Sequence, residues 1–285
     1  MPTLYNLNLT IKDTDYDLTT GLLAQLLPTG WQEITKPTGE TDLKLYSHDP
    51  KELDQIKTTL EELITPLALS TSSLAEENWF TAWQENFKPI ICGEHFVILP
   101  PWLEEEQSQF EPKIPIIIEP KNAFGTGQHE TTALCLTMLS SLYDQQKLDP
   151  KSYFLDLGTG SGILAIACAK LGLKGLAIDN DPDAIQNTQE NSRRNQVEDK
   201  ITPILGSIDA VAEQKFDLIL ANILANPLIA MSQSIVGCLK QPGHLILSGL
   251  LNIQADNVSA AYQKLGLPKE VRQELGEWSA LYFTK

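Results

Sequence analysis

The sequence predicts an α/β protein, with a doubly wound, mostly parallel sheet preceded by a small α+β domain. Three observations carry that expectation. From Ser152 onward, short apolar runs alternate with helical patterns, and such alternation builds a parallel sheet covered on both faces. A glycine-rich turn, Gly158-Thr159-Gly160-Ser161-Gly162, separates the first of these runs from its helix. Residues 1–70 hold a complete set of strand and helix signals of their own.

In residues 1–70, Tyr5, Leu7, Leu9 and Ile11 alternate with polar neighbours, the period of a half-buried strand. A helical stretch from Asp15 to Leu27 is stopped by Pro28-Thr29-Gly30. Trp31–Lys36 and Thr41–Tyr46 read as strands around the turn signal Pro37-Thr38-Gly39. Asp49-Pro50-Lys51-Glu52 supplies a cap, an N1 proline and an early acid for an amphipathic helix to Ile64. Thr65–Ser70 completes the order β-α-β-β-α-β, the ferredoxin-like split βαβ pattern.

Residues 71–121 read as a linker and connecting helix. Thr71-Ser72-Ser73 starts a polar hinge. Trp79, Trp83 and Phe87 recur every four residues, a stripe expected to pack against the larger domain. An apolar run, Ile114–Ile118, follows the prolines at 100, 101 and 112. The larger domain spans 122–285. Its strands are expected at Tyr153–Leu157, Gly175–Ile178, Ile201–Leu205, Phe216–Ala221, His244–Ser248 and Ser279–Thr284. The helices between them are Ser161–Leu171, Pro182–Asn195, Pro227–Leu239 and Ile253–Leu265.

A chain of 285 residues suits two domains. No run approaches the 18 or more apolar residues of a membrane span. The first residues lack the basic and apolar regions of a secretion signal. Cys92, Cys135, Cys168 and Cys238 are far apart, which fits buried thiols in a reducing compartment and no metal site. A cytoplasmic protein is therefore expected. Twenty-one basic against 37 acidic residues give a net charge of −16, a poor balance for binding nucleic acid and a good one for a basic partner. Acidity also serves solubility alone, so charge by itself decides nothing.

The run Asp156-Leu157-Gly158-Thr159-Gly160-Ser161-Gly162 sits between strand and helix, where glycines let backbone approach a ligand closely. Position 163 is Ile163, so the third glycine of the dinucleotide fingerprint is missing, and no Gly-Lys-Ser/Thr of a P-loop follows. Asp179 ends the next strand, where a carboxylate can accept from vicinal ribose hydroxyls. Asn222 ends the strand Phe216–Ala221 in Asn222-Ile223-Leu224-Ala225. Its position resembles the fourth-strand motif of amino-methylating enzymes, commonly Asn-Pro-Pro-Tyr or Asp-Pro-Pro-Tyr, a resemblance that implies an amide oxygen aiming the amine. The Pro-Pro-Tyr is absent here, which argues against a flipped base. Two glycines make Phe124–Gly127 a turning loop ahead of Thr131-Thr132, which begin a helix. His129 in that segment reads either as a general base or, more commonly, as a structural residue.

Together, the motifs F-G-T-G-x-H-x-T-T at 124–132, D-x-G-x-G-S-G at 156–162 and N-I-L-A at 222–225 resemble the ribosomal protein L-eleven methyltransferase family, PrmA. The resemblance extends to Trp79–Phe87, Pro100-Pro101-Trp102 and Leu247-Ser248-Gly249-Leu250, and so covers roughly residues 76–285. It implies a Rossmann-like class I methyltransferase domain that uses S-adenosylmethionine. It implies cofactor contacts at Thr132, Gly158, Gly160, Asp179 and Asn222, with Asn222 also catalytic. It further implies transfer of methyl groups to lysine side chains and an α-amine of the large-subunit ribosomal protein, and a substrate-recognition role for residues 1–70. Five lysines against eleven acids in that segment suit a basic protein met free rather than on the assembled, phosphate-rich subunit. The rival readings are an amine methyltransferase acting on another protein or a small molecule, and a cofactor-binding module without turnover.

Overall fold

In the computed structural model, residues 3–27, 31–36, 39–64, 66–75, 89–119 and 130–285 are described. The chain divides into two compact units, Met1–Phe87 and Lys88–Lys285. Among the described residues, no helix is long and apolar enough to cross a membrane.

The first unit runs β1 (Thr3–Lys12), α1 (Tyr16–Leu26), β2 (Gln32–Lys36), β3 (Glu40–Ser47), α2 (Pro50–Leu63) and β4 (Ala68–Ala75). The sheet order is β2-β3-β1-β4, with every neighbouring pair antiparallel. Alternation puts Leu7, Leu9 and Ile11 of β1 and Leu43 and Leu45 of β3 on one face, where they pack with Leu23, Leu53, Ile56 and Leu60 of the two helices. Asp49 caps α2 by accepting from the Lys51 N–H at 2.9 Å. Thr71-Ser72-Ser73, expected as a hinge, instead pairs in β4 with Leu7, Asn6 and Tyr5 of β1. These three residues are exposed on an edge strand, so nothing apolar marks them as sheet.

The second unit opens with a three-stranded sheet: β5 (Ile90–Cys92), β6 (Phe96–Leu99) and β7 (Ile114–Ile117). Cys92, Phe96, Ile98 and Ile116 join the core of the larger sheet, so residues 90–117 are packed structure within a stretch read as linker. Next come α3 (Glu130–Asp144), β8 (Tyr153–Leu157), α4 (Ile163–Lys170), β9 (Lys174–Asp179), α5 (Pro182–Arg194), β10 (Ile201–Leu205) and β11 (Phe216–Asn222). The chain ends with α6 (Ala225–Ala230), α7 (Ser232–Cys238), β12 (Leu239–Leu251), α8 (Ala255–Gln263), β13 (Val271–Leu275) and β14 (Trp278–Thr284). The stretch expected as one helix over Pro227–Leu239 is thus two helices. It breaks where the Ser232 hydroxyl turns back to the Ile229 carbonyl at 2.8 Å.

The seven strands are ordered β10-β9-β8-β11-β12-β14-β13. The first five are parallel, and β14 and β13 add antiparallel pairs. Successive residues of β11 feed opposite cores, with Leu218 and Leu220 toward one and Ile219 and Ala221 toward the other. Both faces of these central strands are therefore buried. Strand order reverses between β8 and β11, and in such sheets ligands bind at the carboxyl ends beside that switch point.

Candidate active site

Two strand ends meet at the switch point: Leu157 leads into the glycine-rich turn, and Asn222 closes β11. The Gly158 and Thr159 N–H groups donate to the Ile178 carbonyl at 2.8 and 3.0 Å, tying the turn to the neighbouring strand. Gly158 has a φ of +75°, and a Cβ there would lie 2.3 Å from Ile223 Cγ2. Gly249, φ +84°, leaves the same kind of room, since its Cβ would lie 2.4 Å from the Ile223 carbonyl oxygen. Only glycine permits these two approaches, and together they seat Ile223 directly after Asn222.

Asp156 supports the turn from beneath. Its side chain is fully buried; Oδ2 accepts from the Thr159 hydroxyl at 2.7 Å and the Ala165 N–H at 3.1 Å. Oδ1 has no partner among the described residues. Burial pushes the Asp156 carboxyl up to about 7, against the lowering effect of those two hydrogen bonds. Asp179 braces the turn from the side. Its Oδ2 accepts from the Gly160 N–H at 2.9 Å and its Oδ1 from the Asp181 N–H at 3.1 Å. Each carboxylate oxygen keeps a further lone pair for a ligand hydroxyl.

A pocket of about 490 Å³ lies at these strand ends, within the usual range for small-molecule sites. Thr132, Gly158, Gly160, Asp179 and Asn222, the five residues singled out from sequence, all line it, together with Leu224, Met231, Gly249 and Trp278. Thr132 sits in the first turn of α3 and is 1% exposed. The Asn222 Nδ2 donates to its hydroxyl at 3.3 Å. Backbone N–H groups, one carboxylate and an apolar wall suit a nucleoside joined to an amino acid, so the residues present fit S-adenosylmethionine. His129, Phe124–Gly127 and the Trp79–Phe87 stripe lie outside the described residues.

Two residues that motif reading passed over also hold the turn. On α5, the Thr188 hydroxyl donates to the Gly160 carbonyl at 3.2 Å and the Asn191 amide to the Ser161 carbonyl at 2.8 Å. One turn further on, the Asn195 amide bonds both backbone groups of Ile117, at 2.9 and 2.7 Å. These positions share one buried face at i, i+3 and i+7. A helix whose polar residues face inward was the available signal, but it reads like an ordinary solvated face. The four cysteines are buried and free, and burial drives the thiols of Cys92 and Cys135 up to about 12, which leaves both unreactive. Among the described residues, no cluster of three or more His, Cys, Asp or Glu side chains could hold a metal ion.

Comparison with known proteins points the same way. The family model for ribosomal protein L11 methyltransferase (PrmA) matches residues 10–285. A ribosomal protein L11 methyltransferase of Chloroflexus aurantiacus is 39% identical, covering 76% of this chain and 72% of that protein. One of Symbiobacterium thermophilum is 34% identical, covering 98% of this chain and 93% of that protein. The crystal structure of a ribosomal protein L11 methylase from Lactobacillus delbrueckii superposes with a TM-score of 0.62 at 32% identity, covering 70% of this chain and 99% of that one. With a family model spanning nearly the whole sequence and a relative 34% identical over 98% of it, the chain belongs to the ribosomal protein L11 methyltransferase family.

Proposed function

We propose that the chain transfers methyl groups from S-adenosylmethionine to amino groups of ribosomal protein L11, lysine side chains and the α-amine among them, in the cytoplasm. The observation that carries this reading is the convergence of Thr132, Gly158, Gly160, Asp179 and Asn222 on one pocket at the switch point. When bound, S-adenosylmethionine supplies an electrophilic methyl group on a sulfonium. Asp179 would accept hydrogen bonds from the ribose hydroxyls, the turn at Gly158–Gly160 would bring backbone close to it, and Thr132 would contribute a hydroxyl. Asn222 presents its amide oxygen to the incoming amine. A lysine, with an ordinary pKa near 10.4, is a cation at neutral pH, and releasing its proton costs on the order of 4 kcal/mol. The apolar wall of Leu224, Met231 and Trp278 disfavours the ammonium by desolvation. With its proton released to water, the amine's lone pair would be free to take the methyl group that bound S-adenosylmethionine would supply. Much of the acceleration then comes from position and orientation.

Residues 1–70 choose the substrate in this reading, their acidic surplus matching a basic protein free of rRNA. The test is mass spectrometry of purified L11 after incubation with the chain and isotope-labelled S-adenosylmethionine. Labelled methyl groups on L11 amines are expected. Unlabelled L11, with label instead on another protein or a small molecule, would reassign the substrate.

A further inference from the structure

Asn222 meets the amine with one of two chemically opposite ends. Its Oδ1 is an acceptor and its Nδ2 a pair of donors. An amine about to be methylated needs an acceptor for its N–H and a free lone pair on the opposite side. A donor aimed at that lone pair would occupy the electrons that form the new bond. The orientation of one amide therefore separates a productive site from a blocked one.

Nδ2 donates to the Thr132 hydroxyl at 3.3 Å, and among the described residues Oδ1 has no hydrogen-bond partner and belongs to a half-buried side chain lining the pocket. Thr132 is buried, projects from a different element and lines the same pocket. A hydroxyl can accept or donate toward an amide, so its own proton decides the direction. S-Adenosylmethionine carries a carboxylate, an acceptor-only group. If the Thr132 hydroxyl donated a hydrogen bond to such a group, it would be left only to accept from Asn222. We infer that Thr132 is a positioning residue whose hydroxyl holds the Asn222 amide with its oxygen toward the amine. The inference rests on the proposed role of Asn222 and adds a direction to it. In this inference, cofactor binding would set the amide for the second substrate.

The test is a double-mutant cycle on the full-length chain, with L11 as substrate and two readouts: kcat at saturating S-adenosylmethionine, and cofactor affinity by calorimetry. Thr132→Val keeps the shape and removes the hydroxyl; it is expected to lower kcat about tenfold, the rate equivalent of one hydrogen bond. Thr132→Ser is expected to restore kcat to within about twofold of the parent. In an Asn222→Ala background, Thr132→Val is expected to leave kcat where it stands while still weakening cofactor binding, because the two residues act on kcat through one contact. If Thr132→Val leaves kcat intact while Asn222→Ala lowers it, or if the two losses of kcat add in full, the positioning role is overturned. An unimpaired Asn222→Ala removes the site reading itself, and the inference with it.

Discussion

In the amino-terminal unit, helices cover one face of a four-stranded sheet, and the other face carries Asn8, Thr10, Asp42, Lys44, Ser70 and Ser72. In the larger unit, the central strands of a seven-stranded sheet are buried on both faces, while the edge strand β13 has no buried residue. The first sheet can meet a partner across a polar face. The second has a pocket where its central strands stop, and there Gly158, Asp179 and Asn222 collect. The same alternation of apolar residues thus leaves a polar face open in one unit and a pocket at the strand ends in the other, which is where the proposed function puts recognition and catalysis.

The sharpest way to break that division is at the strand ends. Asn222→Ala should lower kcat about 10²-fold, more than it weakens cofactor affinity, since it removes the contact that orients the amine. Parallel turnover and calorimetry measurements check this, and wild-type turnover would place the amine elsewhere. Asp179→Ala should weaken S-adenosylmethionine binding by on the order of 2 kcal/mol, through loss of charge-assisted hydrogen bonds. Unchanged affinity in a folded variant would remove Asp179 from the cofactor site.

Asp156 sharpens the comparison from inside the sheet. Its pKa is raised to about 7 in the folded chain from an ordinary unfolded value near 3.9. The native state therefore binds more protons than the unfolded state between these values. The stability this group contributes is fully present below about pH 4 and is lost as pH rises through about 7. Asp156→Asn removes that titration. Urea unfolding at pH 5 and pH 8 should show the variant gaining roughly 2 kcal/mol on the parent across the interval. A gap independent of pH would mean that Asp156 titrates normally. The smallest effect is expected at Thr188→Val, which removes a 3.2 Å bond to the Gly160 carbonyl. Cofactor affinity should fall by less than about tenfold, and a larger loss by calorimetry would make Thr188 a principal support of the turn.

What could be read from sequence followed the same physical line. Tyr153–Leu157 and Ile201–Leu205 were legible to the residue because they are short apolar runs between turn signals. Asp179 and Asn222 were legible because they end such strands. Val271–Leu275 escaped: it is a polar edge strand with no buried residue, so it carries no alternation. Thr71-Ser72-Ser73 misled for the same reason. Thr188, Asn191 and Asn195 stayed hidden because their inward hydrogen bonds go to backbone groups far along the chain, and no local spacing announces such partners.

The division of labour is tested most directly by expressing residues 88–285 alone, a cut that leaves the pairing of β4 with β1 out of the fragment altogether. The folded fragment, checked by circular dichroism, should bind S-adenosylmethionine within about threefold of the full chain, because the pocket residues all lie in it. Its kcat/KM on L11 should fall by about 10² or more, because docking no longer raises the local concentration of substrate. A folded fragment that methylates L11 with the kcat/KM of the full chain would contradict the account.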